Sequence, residues 1–209
     1  MLMVILITIA SLLFFGNKIS LLLGKKIGQK LGWFLGSFGA LLFIIYFFLI
    51  DTPILSIMEI GLTVLMTYRF IAGIKTNRVV ENILGFITGG IIIILTIITR
   101  EGLMTWTQLG GALGMLIGTY FLISREQVQI INWNARIGWL LYGTGHFFTS
   151  YIGYQKHEWI FFIFQAWQML LCFGGFVTDD PNKRKVITIC IIVGGVVASL
   201  IFSLLLVRL

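Results

Sequence analysis

The chain has 209 residues, of which 58% are apolar and 11% charged, and its formal net charge is +7. Soluble domains carry roughly twice that share of charge. With a mean hydropathy of +1.02, composition excludes a globule with one anchor and predicts an all-α polytopic membrane protein.

A helix crossing a hydrocarbon core of ~30 Å needs about 20 apolar residues. Eight stretches approach that length: 2–22, 32–50, 54–74, 79–99, 103–124, 137–154, 159–177 and 186–207. Met1–Phe15 is apolar from its first residue and lacks the basic head of a signal peptide, so a retained first helix is expected. Asn17 and Lys18 interrupt it: either Lys18 snorkels, or a short helix ends there in an interfacial turn. The connections are short and polar, namely GKKIGQK, DTP, KTNR, REG, SREQVQIINWNAR, YQKHE and TDDPNKRK. Cys172 and Cys190 both fall inside apolar spans, which suits buried free thiols rather than a disulfide or a metal site. No cofactor is expected.

Basic residues set the expected orientation. Loops after the odd-numbered spans hold Lys18, Lys25, Lys26, Lys30, Lys75, Arg78, Arg125, Arg136, Lys183, Arg184 and Lys185, whereas the other side holds Arg100, Lys156 and Arg208. The positive-inside rule makes the first set cytoplasmic and puts both termini outside. An even number of spans agrees with this. The same distribution, single cations between apolar spans, speaks against a nucleic-acid partner. The expected location is a bacterial inner membrane, with the lipid bilayer and a small-molecule substrate as partners; homo-oligomerisation stays open.

The chain also repeats itself. GWFLGSFG at Gly32 returns as GWLLYGTG at Gly138, and a shift of 138 − 32 = 106 pairs Gly32, Trp33, Leu35 and Gly39 with Gly138, Trp139, Leu141 and Gly145. The same shift sets Glu59 opposite Gln165 and Phe70 opposite Phe176; a one-residue gap then sets Gly89-Gly90 against Gly194-Gly195. The expected organisation is an N-terminal extra helix and loop (1–31), a first three-helix bundle (32–99), a linker helix and loop (100–136) and a second bundle (137–209). Each copy has an odd number of spans and one helix links them, so the repeat should be parallel, in the order 1+3+1+3. Gly110, Gly114 and Gly118, every fourth residue of the linker helix, suit close packing against a neighbour. Gly89-Gly90 and Gly194-Gly195 are read the same way.

Parallel three-one-three bundles are the arrangement of the SWEET sugar transporters and the PnuC vitamin transporters. The second copy resembles PnuC, whose nicotinamide riboside transporters carry W-x-x-W-x-x-x-N at the start of the matching helix. Here Trp139, Tyr142 and His146 stand at that spacing, after the polar lead-in SREQVQIINWNAR and before an apolar helix beginning EWIFFIFQAWQ. Glu59 stands where the family often has Gln. The resemblance covers most of residues 30–177 and implies a SWEET-like fold and vitamin uptake. Tyr142 in place of Trp and His146 in place of Asn put nicotinamide riboside no further forward than a related vitamin or nucleoside.

Candidate substrate-binding residues follow from helical spacing. Trp139, Tyr142 and His146 share one face, at i, i+3 and i+7, and Gln165, Gln168 and Cys172 share another. At about 1.5 Å per residue, His146 lies near the midplane, where an ionisable ring must face protein or water. Glu59 is expected to pair with a substrate hydroxyl, His146 or Lys156, or to carry a coupling proton. Each of these residues also has a structural reading: Trp139 as a headgroup anchor, His146, Gln165, Gln168 and Glu59 as interhelical hydrogen bonders. Arg69, near the end of its span, is expected to snorkel. Without a phosphate-binding loop, ATP does not drive the protein directly. The leading expectation is facilitated diffusion of a small polar solute through a site between the two bundles. A membrane receptor or scaffold on the same fold, or an integral-membrane lipid enzyme using His146 and Glu59, are the alternatives.

The orientation is testable by labelling. Short tags at either terminus should react with a membrane-impermeant reagent on intact cells, whereas a cysteine placed at Arg136 should react only after permeabilisation.

Overall fold

The computed structural model describes residues 2–23, 26–73, 77–99, 102–125, 133–178 and 180–206. Among them the chain forms eight α-helices: α1 (Leu2–Leu23), α2 (Lys26–Leu49), α3 (Pro53–Ala72), α4 (Arg78–Thr99), α5 (Gly102–Arg125), α6 (Trp133–Gln155), α7 (Trp159–Val177) and α8 (Pro181–Leu206). Each coincides with one of the eight apolar stretches to within a turn or so. Four of them, over Lys30–Leu49, Pro53–Ala72, Arg78–Thr99 and Trp159–Val177, are long and apolar enough to cross a membrane. Met3–Asn17 and Lys185–Gly195 are shorter apolar segments. Asn17 does not break α1. Its side chain is buried, and Nδ2 donates to the Gly32 carbonyl at 2.9 Å, so the amide nitrogen is satisfied within the packing. Several basic residues behind the charge bias, Lys25, Lys75, Arg100 and Arg208, lie outside the described residues, as does Asp179.

Apolar side chains coat the outside as well as the inside. Phe34, Phe38, Leu41, Ile45 and Phe48 form one exposed stripe along α2, and Phe86, Ile94 and Ile98 lie on the outer face of α4. Water does not tolerate surfaces of this extent, whereas acyl chains do. The polar side chains turn inward instead.

Two turns repeat one geometry. After α2, Asp51 takes φ 54°, and after α6, His157 takes φ 59°. Thr52 N–H bonds the Phe47 carbonyl (2.9 Å) and Asp51 N–H that of Phe48 (3.3 Å); Glu158 bonds Gly153 (2.8 Å) and His157 bonds Tyr154 (3.2 Å). Each set is the Schellman closure of a helix end, with a left-handed residue that is usually glycine. Thr52 then also heads α3, with Pro53 in the first helical position, where a missing N–H costs nothing. The turns touch: Lys156 Nζ donates to the Ile50 carbonyl at 2.5 Å, joining positions 106 residues apart. A lysine reach thus bridges the turns that follow α2 and α6, although the two helices do not themselves pack.

Helix neighbours follow the same correspondence. α1 packs on α2 as α5 packs on α6, α2 on α3 as α6 on α7, and α3 on α4 as α7 on α8. Across the middle, α1 meets α7 and α8, while α5 meets α3 and α4. Exchanging α1–α4 with α5–α8 maps this set of packed pairs onto itself.

The tightest seam joins α5 to α6. A Cβ on Gly114 would stand 2.8 Å from Gly145 N, one on Gly118 would stand 2.5 Å from Tyr142 N, and one on Gly110 would stand 2.9 Å from the Phe148 ring. The every-fourth-residue glycines thus let two backbones approach, as their spacing predicts. The paired glycines of the third helices differ. Gly195 abuts the Trp167 ring, but a Cβ on Gly90 or Gly194 would meet nothing within 4 Å. Close packing does not explain those two: Gly90 lines an open groove between α4 and α5.

A contrast follows. Gly118→Val forces backbones apart and should destabilise the protein by about 1–3 kcal/mol or more, whereas Gly90→Val should leave the unfolding midpoint near wild type. Thermal unfolding of both variants in the same detergent measures the difference.

Candidate functional site

Polar side chains from α1, α3, α6 and α7 converge halfway along the bundle. Ser11, Glu59, His146, Gln165 and Gln168 line one small cavity, walled otherwise by Phe14, Phe43, Met115 and Phe164. All five polar residues are buried; Glu59, His146 and Gln168 are each 2% exposed. The space between them is about 10 Å³, about what one water molecule needs. In this conformation the site is closed.

Helical spacing accounts for the convergence. Tyr142 and His146 lie one turn apart on α6, with ring centroids 4.9 Å apart. Gln165 and Gln168 lie one turn apart on α7. Gln165 Oε1 accepts from His146 Nδ1 at 2.5 Å and from Thr149 Oγ1 at 3.0 Å. An amide oxygen only accepts, so the ring nitrogen Nδ1 is the donor in this bond. Thr149, three residues beyond His146, completes the clasp between α6 and α7. The Tyr142 hydroxyl stands beside Thr119 of α5.

Other polar atoms at the cavity lack partners. Ser11 Oγ, Glu59 Oε2 and both amide atoms of Gln168 are buried without a hydrogen-bond partner among the described residues. Buried polar atoms are ordinarily bonded, and leaving one unmade costs about 1–3 kcal/mol. Three such side chains face one cavity, whereas the unpartnered buried atoms of Thr63, Gln108 and Thr188 lie away from it.

Both sides of the cavity are sealed. Toward the α2–α3 turn, Phe14, Phe43, Tyr46, Phe47 and Phe161 form a packed aromatic cluster, with the Phe43–Phe47 and Phe47–Phe161 centroids each 5.4 Å apart. Toward the other end, Asn17 and Met66 fill the notch at Gly36, and Tyr142 lies across Gly118.

The sequence-derived candidates separate into two groups. Glu59, His146, Gln165 and Gln168 meet in the cavity, and Tyr142 stands at its edge. Trp139 does not join them. Its ring lies on Gly175 and lines a different groove with Gly143, Cys172 and Phe176. Sharing a helix face with His146 is not enough, because the two are nearly two turns apart. Lys156, a proposed partner of Glu59, instead binds the Ile50 carbonyl. Trp167 faces away from the glutamines, stacked on Phe15 at 5.5 Å.

Arg69 departs furthest from expectation. It does not snorkel: it is 1% exposed, with Nε 2.5 Å from Glu81 Oε1 and its second nitrogen donating to Oε2 at 3.0 Å. Its guanidinium also lies 5.9 Å from the Trp33 ring centre. A two-pronged carboxylate and an aromatic face satisfy a buried guanidinium better than a reach to the surface. Trp139 and Gly175 hold the corresponding places, 139 − 33 = 175 − 69 = 106 residues on, with no charge. Sequence reasoning overlooked Glu81 as a buried carboxylate, although α4 follows α3 after only a short connection and sets it opposite Arg69. Ser11 carried no signal beyond being a hydroxyl in an apolar run.

Among the described residues no group of three or more His, Cys, Asp or Glu side chains is placed to hold a metal ion. Comparison with protein-family models, curated proteins and solved structures finds no match for this chain.

The buried ion pair gives a clear test. Arg69→Met should destabilise by about 3–5 kcal/mol by stranding Glu81, and Arg69→Met combined with Glu81→Met should recover most of that. Unfolding midpoints of the single and double variants measure the coupling.

Proposed function

We propose that the protein is a membrane transporter for a small polar solute, a vitamin or nucleoside such as nicotinamide riboside being the leading class. Transport is by facilitated diffusion through the central cavity. The observation that carries this reading is the enclosed site itself: Glu59, Gln168 and Ser11 point unpartnered atoms into a cavity framed by helices of both halves. A structural polar cluster would be expected to satisfy its own members.

In this reading all eight helices span the membrane, and the chain is two parallel halves, α1–α4 and α5–α8, related by an axis along the membrane normal. The matched Schellman turns, the symmetric set of helix neighbours and the 106-residue register support it. The cavity then lies between the halves: Glu59 and Gln165 are counterparts, and both line it. Such a site is alternately exposed when the halves rock against each other. The aromatic cluster at the α2–α3 turn is the outer seal, and the Tyr142–Gly118 and Asn17–Gly36 contacts are the inner one. A cavity of about 10 Å³ is the occluded state, so solute needs one seal open. The motif Trp139, Tyr142, His146 is PnuC-like, which supports the same substrate class. Within the cavity, Gln168 offers both a donor and an acceptor, suited to an amide or ribose hydroxyls.

His146→Ala or Gln168→Ala should weaken solute binding by about 1–3 kcal/mol, the worth of one or two buried hydrogen bonds. The measurement is uptake and equilibrium binding with purified protein in liposomes, across vitamins, nucleosides and simple sugars. Absence of flux for the whole panel contradicts the transporter reading.

A further inference from the structure

We propose that the cavity is selective for small organic cations, with Glu59 as the counter-charge; this deepens the transporter reading above and rests on it. Two buried carboxylates among the described residues are treated differently. Glu81 is met on both oxygens by Arg69. Glu59, also buried, has an oxygen without a hydrogen-bond partner, and no Lys or Arg lines its cavity. Arg69, ten residues along the same helix, is already held by Glu81, and Lys156 is held at the Ile50 carbonyl. A carboxylate taken out of water without a compensating cation takes up a proton rather than carry its charge, and a positively charged ligand can take that proton's place where a neutral or anionic one cannot.

The remaining walls favour an organic rather than an inorganic ion. Phe14, Phe43 and Phe164 present rings to the cavity, and Tyr142 stands at its edge beside His146. Aromatic faces attract ammonium and ring cations, whereas small hard cations take shells of oxygen ligands. Ser11 Oγ and the Gln168 amide supply uncharged hydrogen-bonding groups to orient the rest of the ligand. The charge also sits on one side only: the counterpart of Glu59, 165 − 59 = 106 residues on, is the neutral Gln165. A ligand bound there has its cationic end toward α3 and its polar end toward α7.

The test compares cations with neutral molecules of the same shape. Full-length protein in lipid nanodiscs is titrated calorimetrically with choline against its neutral tert-butyl analogue, and with N-methylpyridinium against pyridine, at a pH where pyridine is uncharged. Sodium chloride alone is a third arm. At least one cation should bind about tenfold or more tighter than its neutral partner, and Glu59→Gln should abolish that preference. Equal affinity within both pairs overturns the proposal. So does undetectable binding of both cations, heat from sodium alone, or a preference that survives in Glu59→Gln. The wild-type comparison decides the matter even if the variant folds poorly. Cation binding without flux would retain this inference and remove the transporter reading; flux of neutral solutes that ignores Glu59→Gln would do the reverse.

Discussion

A helix with hydrocarbon on its outer face has nowhere to put a polar side chain except against another helix. That constraint organises this molecule. Glu59, Arg69, Glu81, His146, Gln165 and Gln168 all lie inside apolar stretches, and all are buried. Outward positions on the same helices are Phe, Ile, Leu and Val. The glycine seam of α5 and α6 serves the same end, because the close approach of those backbones sets Tyr142 against Gly118.

The buried polar groups fall into two sets. Arg69 with Glu81, Asn17 Nδ2 with Gly32, and His146 with Gln165 and Thr149 each tie two helices together. Ser11, Glu59 and Gln168 share one cavity, and each has a polar atom there without a hydrogen-bond partner among the described residues. The two sets are also mechanically linked. His146 and Gln165 are fixed by their clasp, so they form a rigid wall. Gln168, one turn from Gln165 on the same helix, is positioned by that wall and yet has no partner of its own.

Much of this was legible in the chain. Hydropathy located all eight helices, and spacing placed His146, Gln165 and Gln168 together with Glu59. The 106-residue shift anticipated the matched turns, although a left-handed Asp51 and His157 are not foretold by residue type, since glycine is the usual occupant. What was missed depended on partners distant in sequence. Trp139 has the same helical phase as His146, but depth along the helix sends it to Gly175 instead. Arg69 resembles any basic residue near a span end until Glu81 folds back onto it. Gly90 and Gly194 look like packing glycines, yet nothing packs on them. Composition does not reveal which helix faces lack a neighbour.

The central claim is that one cavity between the halves is reached from both sides of the membrane in turn. Ser11→Cys, with Cys172 and Cys190 replaced by Ala, places one thiol in that cavity. Its reaction with a membrane-impermeant thiol reagent, applied to either face of oriented vesicles, tests the claim most directly. The account predicts slow labelling from both faces, slowed further by a bound solute. Labelling from one face only, or labelling indifferent to every solute that the protein binds, would contradict it.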